Sequence, residues 1–249
     1  MSKPVLLIRA YDNDEDANAL TKLGIDSLID PYLKISISNN AVAARDLLSL
    51  LVSGVGPLWL IATSVNAIRY WAQLVGEDLL RKNIASRSDL NFAAIGNKSA
   101  EILRQYGAQE ISVPSEAHSL ALANLLISGD LPGHALIPGG NLAMQNLPTS
   151  LLASGWQVST ATVYLTQAVE REPHSTQLIR DQEISAILFR SPSAVRALTH
   201  FVPAPKVPLV CAGATTARAV AAQGLSVAAI SASPASCDIA VTIQTLLER

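Results

Sequence analysis

The chain has 249 residues, 49% of them hydrophobic, with a net charge of −2 and a pI near 6.1. That is enough apolar material for a large core and more length than one average domain. Near-neutral charge gives no basic footprint for a nucleic-acid backbone, and the richest apolar stretches, Leu120 to Ile127 and Leu58 to Ala62, fall well short of the roughly 20 residues that span a bilayer.

In chain order, apolar runs read as buried strands and i, i+3, i+4 spacing as helices. The first unit, type A, is Val5 to Ile8, an acidic turn from Asp12 to Asp16, a helix carrying Ala17, Leu20 and Leu23, Gly24 as its stop, and a strand running toward Tyr32. The second, type B, is Leu58 to Ala62, then Thr63-Ser64, then a helix burying Val65, Ile68, Ala72 and Val75. The third, type C, is Phe92 to Ile95, the turn Gly96-Asn97-Lys98-Ser99 and a helix to Gly107. A strand from Glu110 to Val113, Pro114 and a helix capped by Ser115 complete it.

The same three return in the same order. Ala135 to Ile137, Gly139-Gly140 as a turn, a helix ending at Gly155 and a strand reaching Tyr164 repeat type A. Ile187 to Phe189 with Ser191-Pro192-Ser193 and a helix through Val195 and Leu198 repeat type B. The stretch Pro208 to Ala212, Gly213-Ala214-Thr215-Thr216 and a helix to Gly224, with Pro234 and a final helix beyond it, repeat type C at the same glycine-to-glycine spacing. The class is α/β with mostly parallel strands, in two similar domains. Read in tandem, the repeats divide near residue 130, with a ligand cleft between the domains at the carboxyl ends of the strands.

Four of these turns, at Thr63-Ser64, Gly96-Asn97, Ser191 to Ser193 and Gly213 to Thr215, lead from a strand into a helix. The first amides of a helix lack internal partners and meet the positive end of its dipole, so such turns hold anions. Ordinary N-capping by each hydroxyl is the competing reading. No GxxxxGK[ST] occurs, and GNKSAE and GATTAR lack the further glycines of a dinucleotide fingerprint. The acidic turn with Asp12 and Asp14 sits where a receiver domain keeps magnesium carboxylates, although acids in a first helical turn also complement the dipole. His118, His134, His174 and His200 have no metal spacing, and no GxSxG elbow is present, so no metal site is expected. Cys211 and Cys237 lie without CxxC spacing and the amino terminus shows no leader pattern, which leads to the expectation of a reducing cytoplasm.

One set of residues runs through the chain in a recognisable order: Leu7-Ile8-Arg9, Pro31 with Lys34-Ile35, Ala62-Thr63-Ser64 before Asn66-Ala67, and Ile95-Gly96-Asn97 with Ser99-Ala100. Further on come Gly155 to Val158, Val163-Tyr164-Leu165-Thr166, Phe189 to Val195, and Gly213 to Ala217 with Gly224. No single motif is specific, but in their order and spacing, over essentially its full length, the chain resembles the uroporphyrinogen-III synthase family.

The resemblance implies a cofactor-free enzyme, a lyase that closes hydroxymethylbilane into uroporphyrinogen III with inversion of ring D and loss of water. It implies Tyr164 as the donor that assists loss of the hydroxyl, and Arg9, Thr63, Ser64, Gly96, Asn97, Ser99, Ser191, Ser193, Gly213, Thr215 and Thr216 as substrate-binding positions. The arginine that many members carry after the Ala135 to Ile137 strand is absent, since residues 141–146 hold nothing basic, and Ser99 stands where threonine is common. The family also exchanges its type A units. That implies residues 1–34 with 170–249 as one flavodoxin-like or Rossmann-like domain, 37–166 as the other, and a two-stranded β-ladder hinge joining them. The expected protein is a cytoplasmic monomer that meets the preceding bilane-forming enzyme at most transiently, with no nucleic-acid or membrane partner. The competing readings are a non-catalytic two-domain receptor for a small anion and a receiver-like module using Asp12 and Asp14.

Overall fold

The computed structural model describes residues 3–129 and 132–248. The outermost residues of the expected first domain, 1, 2 and 249, and the tandem cut near residue 130 lie outside them. The chain forms two compact units, Met1–Ile35 with Gln167–Arg249 and the uninterrupted Ser36–Thr166. The first stretch holds β1 (Val5–Leu7), α1 (Asn13–Thr21), β2 (Ser27–Ile29) and the start of β3 (Leu33–Ile37). The middle holds α2 (Ala41–Ser53), β4 (Leu58–Ala62), α3 (Val65–Val75), α4 (Glu77–Ser86), β5 (Leu90–Ala94), α5 (Asn97–Gln105) and β6 (Ile111–Ser112). It continues with α6 (Ser119–Gly129), β7 (His134–Gly140), α7 (Asn146–Ala153) and most of β8 (Gln157–Ala168). The last holds α8 (Ser175–Arg180), β9 (Ala186–Phe189), α9 (Pro192–Phe201), β10 (Leu209–Cys211), α10 (Ala214–Ala222), β11 (Ala229–Ile230) and α11 (Ser236–Leu247).

The discontinuous unit carries a five-stranded sheet in the order β2-β1-β9-β10-β11, with every pair parallel. The continuous unit carries β8-β7-β4-β5-β6, again parallel, with β3 added beside β8. By chain position the first is the flavodoxin-like order and the second the Rossmann-like order. Matched by kind they are one sheet. The type A strands come first in one unit and last in the other, so the two units are circular permutants.

Strand composition follows from this layering, because a parallel sheet covered on both faces needs apolar side chains at every position. In β4, Leu58, Leu60 and Ala62 enter one core with α2, α3, α4 and α5, while Trp59 and Ile61 enter another with α6 and α7. Around β1, Leu6 and Ile8 pack with α8, α9 and α10, and Val5 and Leu7 with α1 and α11. Each such aliphatic side chain contributes about 1.5–3 kcal/mol by burial, which outweighs the weak intrinsic strand preference of runs this short. Positive φ at Gly24 and Gly224, +72° in both, ends α1 and α10 where a side chain would be strained.

Several expectations are corrected. The first helix starts before Ala17: α1 begins at Asn13, so Asp14, Glu15 and Asp16 form its first turn, as the dipole reading has it. Ser115 does not cap α6; that helix begins at Ser119, and His118 Nδ1 accepts the Ala121 amide at 3.1 Å. Gly139-Gly140 is not a turn but the end of β7, paired with β8. Three helices, α2, α4 and α8, lie outside the units read from the sequence. No helix among the described residues is long and apolar enough to cross a membrane.

Candidate functional site

In an open parallel sheet the strand order reverses at one place, and the loops that part there leave a crevice at the carboxyl ends. In the continuous unit that place is between β4 and β7. A pocket of about 260 Å³ opens there, lined by Thr63 and Ser64 after β4, Gly140 at the end of β7, Leu142 and Met144 beyond it, and Tyr164 on β8. None of its lining residues is acidic, basic or histidine.

Three devices aim Tyr164. The β7–β8 register shifts between Gly139 and Gly140, so Gly139 faces Thr162 but Gly140 faces Tyr164. This irregularity turns the tyrosine onto the α3 side, where its ring centroid lies 5.8 Å from that of Tyr70. Gly140 leaves room for the ring: a Cβ there would stand 2.5 Å from Tyr164 Cε2 and Cζ. Asn141 ties the strand end, its amide donating to Tyr164 O at 3.1 Å and its Oδ1 accepting from Thr166 N at 2.8 Å. The Tyr164 hydroxyl then lies 3.3 Å from Ser64 Oγ, which also accepts the Ala67 amide at 3.0 Å and so caps α3. Tyr164, Thr63 and Ser64 therefore share one pocket. Gly96, Asn97 and Ser99 do not line it, although Ile95 does. Asn97 is exposed and Ser99 is buried.

The discontinuous unit reverses between β1 and β9. Their register, Leu7 opposite Leu188, sets Arg9 opposite Arg190 when carried two residues further. Arg9 is half-buried and bonds the Asp12 carbonyl at 3.3 Å, with the Asp12 carboxylate at 3.7 Å. Arg190 donates to Asp16 Oδ1 at 2.7 Å and to the Pro234 carbonyl at 2.6 Å. Burial lowers the Arg190 pKa; Asp16 opposes that shift and the neighbouring Arg9 adds to it. Ser191 Oγ caps α9 through the Ala194 amide at 3.3 Å and lies 2.9 Å from Ser193 Oγ. The two type B loops thus share one device, with Arg190 standing where the other has Thr63.

The type C loops share another. Neither Gly96 nor Gly213 gives its helix a side-chain cap, and both are extended, at φ −175° and 179°. Any residue adopts that backbone, so conformation does not require glycine here. A Cβ on Gly213 would meet nothing within 4 Å, whereas one on Gly96 would meet Ala117 Cβ at 3.2 Å. Thr215 is exposed and Thr216 buried. Among the described residues no group of three or more His, Cys, Asp or Glu side chains is placed to hold a metal, and Asp12 is drawn to Arg9 rather than into an acidic cluster. Gly140, Asn141 and Arg190 are the site neighbours that sequence reasoning missed. The glycine pair was the visible signal for the first, read as a turn.

A family model described as uroporphyrinogen-III synthase HemD matches residues 14–239. Among solved structures, a mutant uroporphyrinogen III synthase from the extremely thermophilic bacterium Thermus thermophilus is 20% identical. It covers 98% of this chain and 99% of its own at a TM-score of 0.65. The synthetase from Helicobacter pylori is 15% identical, with 99% and 100% covered and a TM-score of 0.66. At these identities the likeness establishes the fold. No curated protein matches the chain.

Proposed function

The chain belongs to the uroporphyrinogen-III synthase family, cofactor-free lyases that cyclise hydroxymethylbilane in haem biosynthesis, and on that premise we propose how its residues divide the work. The observation that carries the proposal is the Tyr164 hydroxyl beside Ser64 in an uncharged pocket at the reversal point of the sheet. A pocket of about 260 Å³ suits one substituted pyrrole rather than a whole tetrapyrrole. Without charges in its lining it takes the ring and its hydroxymethyl group, leaving the carboxylates to other loops.

Loss of the hydroxyl is driven by the substrate. The pyrrole nitrogen lone pair pushes into the ring as the exocyclic C–O bond breaks with its electrons on oxygen. The Tyr164 phenol proton joins that oxygen to form water, and the ring N–H returns a proton to the phenolate, leaving a neutral azafulvene. Ring D then attacks through its substituted carbon, and a spiro intermediate rearranges to the inverted product. What the protein supplies is mainly orientation, which suits a pocket whose lining holds no acidic, basic or histidine side chain.

The bilane is a polyanion. Gly96, Asn97, Gly213 and Thr215, at helix ends without side-chain caps, receive its carboxylates through backbone amides. Ser191, Ser193 and Arg9 complete the binding set, while Ser99 and Thr216, both buried, support those loops from behind. On the same reading the protein is a monomer of two domains, 1–34 with 170–249 and 37–166, joined through β3 and β8. It works in a reducing cytoplasm, where Cys211 and Cys237 stay free thiols, and meets the bilane-forming enzyme only transiently. Freshly prepared hydroxymethylbilane tests the reading: enzyme-dependent type III isomer above the spontaneous type I background supports it, and type I product alone overturns it in favour of a non-catalytic receptor.

A further inference from the structure

We infer that Ser64 is a positioning residue which turns the Tyr164 proton into the pocket; this rests on the proposed role of Tyr164. Ser64 Oγ already accepts the Ala67 amide at 3.0 Å. A hydroxyl that accepts a hydrogen bond becomes a better donor through polarisation, and Tyr164 Oη is 3.3 Å away. With Ser64 donating to the phenol oxygen, the phenol proton is left to point at the ligand. The contact is long for two hydroxyls, as catalytic contacts are before substrate tightens them. Ring packing removes the alternatives: Gly140 and Tyr70 fix the plane of Tyr164, so rotation about its C–O bond is the remaining freedom, and Ser64 sets it.

The same bond serves the reaction. Negative charge grows on the phenol oxygen as its proton leaves, and a fixed O–H aimed there is worth more in that state than in the ground state. The start of α3 adds the positive end of an 11-residue helix behind the serine. Ser64 therefore carries two roles that substitution separates, an acceptor for the helix amide and a donor to Tyr164.

Ser64→Asp keeps the acceptor and removes the donor. We expect its melting temperature to stay within a few degrees of the parent while kcat for type III formation falls about tenfold. Ser64→Thr, which keeps both functions, should stay within about threefold. The decisive comparison repeats Ser64→Asp in a Tyr164→Phe background, where no phenol remains to be oriented. There the loss should shrink to no more than about a third of that seen with the phenol present, whereas plain charge repulsion or loop damage would cost the same in both. Should Ser64→Asp fail to fold, Ser64→Ala enters the same cycle with the same expectation. An undiminished kcat in the folded single variant, or an equal loss with and without the phenol, overturns the inference alone. A parent enzyme that yields only type I overturns both it and the proposed function.

Discussion

Gly140 and Tyr164 face each other across β7 and β8, and the ring covers the glycine so closely that a methyl group there would stand 2.5 Å from two ring carbons. Gly140→Ala must therefore push the ring aside. Overpacking of this kind costs about 1–3 kcal/mol, so Tm should fall by a few degrees. Because the displaced ring carries the proposed donor, kcat should fall at least tenfold. Thermal melts and the isomer assay on one preparation check both numbers.

Tyr164→Phe removes the hydroxyl and keeps the ring that packs on Tyr70. One general-acid donor contributes roughly 10²–10⁴-fold, and a substrate that expels its own leaving group needs no more than the bottom of that range. We expect a loss of about 10–100-fold in kcat with an unchanged Tm. A loss beyond about a thousandfold in folded protein would give Tyr164 more than an assisting part.

Gly213→Ala should separate activity from stability. Its backbone is extended and its Cβ would enter open space, so the fold loses nothing. The unfolded chain loses freedom, which stabilises the native state by about 0.4–1 kcal/mol. A methyl over the first amides of α10 should nevertheless raise KM for the bilane several-fold. Gly224→Ala, at φ +72°, is the mirror case, with reduced stability and unchanged kinetics.

Arg190→Ala leaves the Asp16 carboxylate, 1% exposed, without its ion partner. Breaking one half of such a pair typically costs about 3–5 kcal/mol. The double change Asp16→Asn with Arg190→Ala should recover much of that, and urea unfolding of the parent, both single variants and the double variant measures the coupling.

His134 holds Ser159 Oγ at 2.8 Å across β7 and β8, and burial pushes its imidazole pKa below the ordinary value. The folded state therefore disfavours the charged form, and the unfolded chain binds more protons as pH falls. Stability should decline from about pH 6.5 downward, through the folded pKa, and level off below it. His134→Gln should flatten that part of a stability–pH curve measured by denaturant titration.

The repeated grammar was legible because strands buried on both faces are written as unbroken apolar runs, as in β4 and around β1. The permuted order was not, since local pattern says nothing of which strands neighbour one another. Gly139-Gly140 misled because a glycine pair signals a turn locally, while the reason for it, the Tyr164 ring, sits 24 positions on. Arg190 escaped for the same reason at greater distance, its carboxylate partner being 174 positions away. Ser64 and Ser191 fit both a cap and a ligand hydroxyl by sequence, and each does cap its helix. His118 took the cap assigned to Ser115 because its ring nitrogen reaches the Ala121 amide from the residue just before α6.

The permutation also sets a timetable for synthesis. β1 is a central strand whose neighbours are β2 and β9, yet all of Ser36–Thr166 leaves the ribosome between them. At roughly 5–20 residues per second, that interval is on the order of ten seconds. During it the apolar Val5 to Ile8 stretch has β2 but not β9 to pair with, while the inserted unit, contiguous in the chain, can complete its own sheet. The nascent chain thus carries a complete contiguous unit together with an apolar strand that still lacks one of its two sheet neighbours.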